Sequence, residues 1–161
     1  MDYRVFTVEE ANRLVPLLER VFAEIDEARE RGRHHHEKLQ MLDVLWGERV
    51  EDPDNPDHEE YLEHRRGLDE AVESVEETVR EEIVERGIRF PSGGLQHGLV
   101  DFPTSLEGRW VYLCWERGEP ELRYWHEVEG GYAGRRPLTP EQAAVMGEDD
   151  PAELDDSRLD F

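Results

Sequence analysis

Between residues 7 and 46 the apolar and small side chains recur with a seven-residue period. Ala11, Leu18, Ile25, Gly32, Leu39 and Trp46 form one row, and Leu14, Val21, Ala28, His35 and Leu42 form a second row three residues later. Alternating steps of three and four keep both rows on one helix face, which is a coiled-coil seam. The start of the helix is marked as well: Thr7 reads as N-cap, Glu10 as the N3 residue of a capping box, and Phe6 as the staple before it. A helix of this length extends about 58 Å. Pro16 removes one hydrogen-bond donor inside the pattern, which predicts a kink near Asn12.

Residues 47–56 carry two prolines and an Asp-Asn cluster and read as a loop. A second helix follows over 57–86, with Tyr61, Arg65, Leu68, Val72, Val75, Val79 and Ile83 as its seam and Gly87 as its stop. A short loop between two such helices predicts an antiparallel hairpin, in which positions whose numbers sum to about 103 lie side by side. Gly32 then faces Ala71, and His35 faces Leu68 beside Gly67. Two helices alone cannot bury both rows together with Val15 and Phe22. Either the C-terminal part folds back over them, or a second copy of the chain packs against the hairpin in a symmetric four-helix arrangement.

From residue 88 the period changes to two. Residues 88–90 and 99–102 read as short strands, while 109–116 (RWVYLCWE) and 121–128 (ELRYWHEV) are longer ones rich in aromatic and β-branched side chains. Residues 117–120 read as the hairpin loop between them. The expected fold class is α+β. A long, coiled-coil-like antiparallel helical hairpin (1–87) is followed by a small antiparallel β-sheet region packed with it (88–138). A short helix at 140–146 and an acidic, disordered tail complete the chain (139–161).

Charge narrows the functional classes. The 161 residues hold 41 Asp and Glu against 19 Lys and Arg, a formal net charge of −22. Such a surface repels phosphate backbones and anionic lipid, so neither nucleic acid nor a membrane surface is an expected partner. The basic residues are 18 Arg and one Lys, Lys38, a bias that fits either a GC-rich coding sequence or adaptation to high salt. Cys114 is the single cysteine, so no intrachain disulfide framework or CxxC zinc ribbon is available. The first residues lack a basic-then-apolar signal sequence and no apolar run approaches membrane-spanning length, so a cytoplasmic location is the expectation.

Several segments together carry a family likeness. Phe6-Thr7-x-x-Glu10-Ala11-Asn12 with Leu14-Val15-Pro16-Leu17 opens the chain, and Gly98-Leu99-Val100-Asp101-Phe102-Pro103 follows later. Val111-Tyr112-Leu113-Cys114-Trp115, Gly118-Glu119-Pro120, Trp125-His126-Glu127 and Gly134-Arg135-Arg136-Pro137-Leu138 complete the series. In these segments residues 3–138 resemble the bacterial family called domain of unknown function 2203. The resemblance implies no particular activity, cofactor or ligand set.

Three constellations carry candidate chemistry. The first is His34-His35-His36, with His58 and His64 on the facing helix. Three consecutive helical residues diverge by roughly 100° each and cannot all hold one ion, so the conceivable metal set is His36, His64 and Glu60. The second is a Cys114–His126 nucleophile pair. If the β-hairpin buries one coherent apolar face, Val111, Leu113 and Trp115 lie with Leu122, Tyr124 and His126, which places Cys114 on the opposite face and separates thiol from imidazole; a one-residue slip would bring Cys114 and His126 together but put Trp115 and Trp125 on the other face, so the first register is preferred. The third is a polar group in the β region: Asp101, Glu119, His126, Glu127 and Arg135. Buried polar groups need partners, so Asp101–His126 and Glu119–Arg135 contacts are expected on structural grounds alone. The functional alternative is a small-ligand pocket, or a divalent metal ion held by Asp101 and His126.

No phosphate-binding glycine loop, GxSxG elbow or HExxH motif occurs in the chain. The pattern therefore favours a non-catalytic scaffold or interaction module, homodimeric or higher through the hairpin. The alternative is a metal-ion or small-ligand-binding protein, or an enzyme, using the β-region polar residues.

Overall fold

The computed structural model describes residues 3–159. Long helices come first and a four-stranded antiparallel sheet follows, an α+β fold. The chain divides into two compact units: one holds the chain up to Arg20 together with everything from Glu81 onward, the other is Val21–Arg80.

In the first unit, helix α1 (Val8–Arg13) opens on Thr7, whose hydroxyl accepts the Glu10 N–H at 3.1 Å. The Glu10 carboxylate lies 3.4 Å from the Arg4 guanidinium. Helix α2 (Val15–Trp46) begins after a break at Leu14, two residues beyond the kink expected near Asn12. The Leu14 N–H bonds the Ala11 carbonyl in a tightened turn, and the helix restarts with Pro16 inside its first turn, where its missing donor costs nothing.

Strands β1 (Leu99–Leu106), β2 (Arg109–Glu116), β3 (Tyr124–Glu127) and β4 (Arg136–Pro137) form a simple meander in that order. Pro103 is tolerated in β1 because β1 is an edge: its outer side takes the N-terminal segment, with Phe6 N–H bonded to Pro103 O at 2.9 Å and Thr104 Oγ1 to Phe6 O at 2.6 Å. Every residue of β1 and the six central residues of β2 are buried. A sheet covered on both faces has no solvent side for polar residues to mark.

The β2–β3 register differs from the one expected. Tyr112 lies opposite His126 and Cys114 opposite Tyr124, one residue away from the predicted pairing. Residues 117–123 are a seven-residue connection rather than a tight loop followed by strand. Leu122 donates its N–H to Asn12 Oδ1 at 2.7 Å, and Gly118 donates to Glu19 Oε1 at 3.2 Å. Those bonds draw the connection toward the helix start, and β3 begins only at Tyr124. Cys114 and His126 therefore share a face, contrary to the expectation that they are separated.

Through Leu159 the acidic tail carries short helical elements and contacts. Helix α5 (Pro140–Val145) has a complete capping box between Thr139 and Gln142. Beyond it, Met146 and Leu154 are buried, Asp156 accepts the Trp110 indole N–H at 2.8 Å, and Arg158 pairs with Glu129 at 2.7 Å. Gly147 packs so tightly on Phe6 that a β-carbon would lie 2.5 Å from the Phe6 carbonyl oxygen. A few apolar anchors in a charged segment suffice to dock it, which net charge alone does not register. Asp160 and Phe161 lie outside the described residues.

In the second unit, α2 runs antiparallel to α3 (His58–Val79), which ends in a wider turn at Arg80–Val84 before Gly87. The predicted pairing holds: a β-carbon on Gly32 would sit 3.4 Å from Ala71 Cβ, and the His35 ring lies across Gly67. The seam of α3 is displaced, however. His64 and Ala71 are buried where Arg65 and Val72 were expected, and Val72 is half exposed. Close approach of the helices favours alanine over valine at the crossing, so the bulkier residue turns out. Of the apolar side chains thought to need covering, Val15, Leu18, Val21, Phe22 and Ile25 are buried within a single chain. Other apolar side chains stay in solvent, among them Met41, Val44 and Leu45 in the last turns of α2, which are 58%, 85% and 63% exposed.

Candidate functional site

The register found for the sheet assembles a polar cluster inside it. Asp101 lies directly opposite Cys114, and His126 opposite Tyr112, so all four side chains share one face. Arg89 joins them through a bridge in which its N–H and C=O bond the carbonyl and N–H of Asp101, each at 3.0 Å. Asp101, His126 and Cys114 are all buried.

Asp101 is the hub. Its Oδ1 is 3.1 Å from His126 Nε2, and its Oδ2 receives the Arg89 guanidinium at 3.2 Å. That guanidinium stacks 4.2 Å from the Tyr112 ring centre. The other ring nitrogen of His126, Nδ1, is 2.7 Å from the Glu127 backbone oxygen. Both nitrogens thus face acceptors, an arrangement that an imidazolium satisfies and a neutral ring does not. Burial works against the charged ring, but the Asp101 hydrogen bond and charge outweigh it, and the His126 pKa is raised. Burial, reinforced by the Asp101 charge, pushes the Cys114 thiol up to about 12. A thiol held this firmly protonated is not a nucleophile at neutral pH.

Of the residues singled out from sequence, Asp101 and His126 are brought together. Glu119 and Arg135 form a neighbouring pair: Arg135 donates to Glu119 at 2.6 Å and to the Cys114 backbone oxygen at 3.1 Å, and its guanidinium covers the Tyr124 ring. Glu119 also accepts the Glu116 backbone N–H, so it shapes the β2–β3 connection. Glu127 does not join either group. It lies opposite Val111, on the alternate face, and binds Arg109 at 2.6 and 3.1 Å, which lowers its pKa. Arg89 and Tyr112 escaped notice in the sequence. A lone arginine within the apolar Ile88-Arg89-Phe90 was the available signal for a buried acidic partner.

Asp101, Cys114 and His126 place one ligand atom each within 4.8 Å of one another. A second such set exists in the hairpin among the described residues: His34, His35 and His64. It contains His34 in place of the expected His36, which is exposed and outside it. Among the described residues no helix is long and apolar enough to cross a membrane.

Comparison with known proteins gives a family and nothing finer. No curated protein matches the chain, and no solved structure does. The family model described as an uncharacterized conserved protein, DUF2203, matches residues 4–138 and so takes in α1 to β4 entire, the Asp101–His126 cluster included; the chain belongs to that family.

Proposed function

We propose that the protein is a non-catalytic interaction module that self-associates through its helical hairpin. The observation that carries this reading is the exposed stripe of Met41, Val44 and Leu45, spaced three and four residues apart and bordered by Glu37 and Gln40 around a groove of about 510 Å3. An apolar stripe on a helix that already buries its other face is the usual mark of a second contact. A second copy is the occupant that fits best, because an isologous contact lets one patch cover itself and continues the packing of a helical hairpin into four helices.

Charge gives the reading a distinctive signature. Val21–Arg80 holds 19 acidic against 8 basic side chains, a net −11. Two such hairpins repel, so self-association strengthens as salt screens them, whereas docking of a basic partner weakens. Light scattering after size exclusion, at low and high salt, tests this. A dimer that grows with salt and is lost in Val44→Glu supports the reading; a monomer at every salt concentration removes it.

A second reading is favoured by the convergence of Asp101, Cys114 and His126: a divalent ion bound inside the sheet. The Nδ1 contact to a backbone carbonyl is the orientation usual for a ligating histidine. Against it stand the guanidinium of Arg89 on the same carboxylate and the two protons, on Nε2 and Sγ, that the ion must displace. Adding Co(II) to the tag-free protein decides the point. A thiolate-to-cobalt absorption band lost in Cys114→Ser supports the site, and its absence removes it.

A further inference from the structure

We infer that His34, His35 and His64 form a binding site for a divalent transition-metal ion in the helical hairpin, separate from the sheet cluster. The inference does not rest on self-association. His34 and His35 stand on α2 and His64 on α3, so the ligands bridge the two helices. One ring nitrogen of each lies within 4.8 Å of the others. The nearest pair, His35 Nδ1 and His64 Nδ1, is 2.9 Å apart. The ring centres are 5.2 Å apart, so the two nitrogens meet head-on as in a shared hydrogen bond, and an ion enters when the rings turn so that both lone pairs converge on it. Imidazole ligands suit Ni(II) and Cu(II), and Cu(II) leads the general affinity order for nitrogen sites.

Three further observations point the same way. Gly67 sits in the middle of α3, where glycine weakens a helix, and the three atoms nearest to where a β-carbon would stand all belong to the His35 ring, which such a carbon would strike. The chain thus leaves a gap in one helix shaped for the imidazole of the other, and the gap turns His35 Nδ1 toward His64. The opposite nitrogen of His64, Nε2, is 3.6 Å from the Glu60 carboxylate, beyond hydrogen-bond length, so that carboxylate adds negative charge beside the ring without fixing it. Access is open, since His34 and His35 border a groove of about 470 Å3 with Glu27, Glu30 and Arg31. Arg31 opposes a cation there, and the two glutamates favour it. The surplus of negative charge over the whole hairpin concentrates cations around it.

The rival account is a polar break in the seam, with one proton shared between His35 and His64. The two differ in what His34 does, because a shared proton does not involve it. The test uses the full chain without a histidine tag, stripped with chelator and titrated with NiCl2 and CuCl2 by calorimetry, with the Cu(II) electron paramagnetic resonance spectrum as a second readout. The expected result is one ion per chain with nitrogen hyperfine structure. Because changing a residue that merely orients a ligand weakens binding by about tenfold or more, the loss in His34→Ala and His64→Ala should be no smaller. His36→Ala should bind as the parent does. His34 is exposed, so His34→Ala is expected to keep its fold, checked by circular dichroism, even if His64→Ala does not. Affinity equal in the parent and His34→Ala overturns the site, and so does loss of binding in His36→Ala as great as in His34→Ala.

Discussion

Each of the two compact units holds a cluster of metal-ligand residue types, with one histidine in the sheet and three in the hairpin, and the clusters differ in whether those histidine nitrogens are already used. In the sheet, both nitrogens of His126 face oxygen acceptors, and the carboxylate that meets Nε2 is also held by Arg89. Asp101, Cys114 and His126 are buried, Arg89 is half-buried, and the one carboxylate faces both cations. In the hairpin, His35 and His64 face one another, His34 lies beside them in solvent, and no guanidinium is bonded to the three rings among the described contacts. A buried polar network that satisfies itself has little left to offer a ligand, whereas an imidazole group with surplus lone pairs does. Metal-ligand residue types in proximity are thus a weak guide. The count of unassigned lone pairs and protons separates the two clusters.

The sharpest way to break that contrast is to remove the hub of the sheet cluster. Asp101→Ala leaves the Arg89 guanidinium and the His126 imidazolium without their shared partner in a buried place. Loss of one member of a buried charged group costs about 3–5 kcal/mol, against a total stability of about 5–15 kcal/mol for a domain. Thermal and urea unfolding should register that loss, with Asp101→Asn intermediate because it keeps an acceptor oxygen. A destabilisation under about 1 kcal/mol in Asp101→Ala would mean that the network contributes little and that the comparison rests on the wrong property.

A smaller effect probes the hairpin. In an ordinary exposed helix, Gly→Ala stabilises by about 0.5–1 kcal/mol. At Gly67 the new methyl group meets the His35 ring. Gly67→Ala should therefore forfeit its helix gain by displacing His35, while Gly67→Ala in a His35→Ala background should recover it. The coupling between the two changes is expected at about 1–2 kcal/mol, and a double-mutant cycle by chemical denaturation measures it. Additive effects would show that the ring does not occupy the gap, and the case for a shaped metal site would go with it.

These features were unevenly legible in the chain. The hairpin could be read because a seven-residue period survives substitution, and counting about the loop placed Gly32 against Ala71 and His35 beside Gly67. The same pattern put Arg65 and Val72 on the seam, where the helices instead bury His64 and Ala71. Hydrophobicity ranks valine inward, but a close crossing selects on size. The sheet was harder. An apolar face fixes register only where the other face is polar, and β2 is buried on both faces. What sets the register is remote: Asn12 and Glu19 hold the β2–β3 connection. Asp101 and His126 were recognisable as polar residues in apolar strands, but Arg89 was not foreseen as their third member. Glu127, adjacent to His126 in sequence, was drawn in by proximity and belongs to the other face.

The mildest test varies pH and asks how many protons the folded chain holds. His126 has a raised pKa, above its ordinary 6.5, so the folded state keeps a proton that the unfolded chain releases on moving above that value. Stability then falls as pH rises, because the state that binds more protons loses ground. The contribution is fully present below about pH 6.5 and is lost as pH climbs through the raised folded value. Cys114 acts with the same sign further up, since its thiol is held at about 12 against 9.0 for a free one. Urea midpoints measured from pH 6 to 9 should decline in the parent chain, and the decline should flatten in His126→Gln, which keeps a polar side chain but binds no proton. A parent chain whose stability rises across that interval would show that His126 is neutral when folded. Its Nε2 would then carry a free lone pair toward Asp101 and Cys114, and the sheet cluster, not the hairpin, would become the better place to look for a metal.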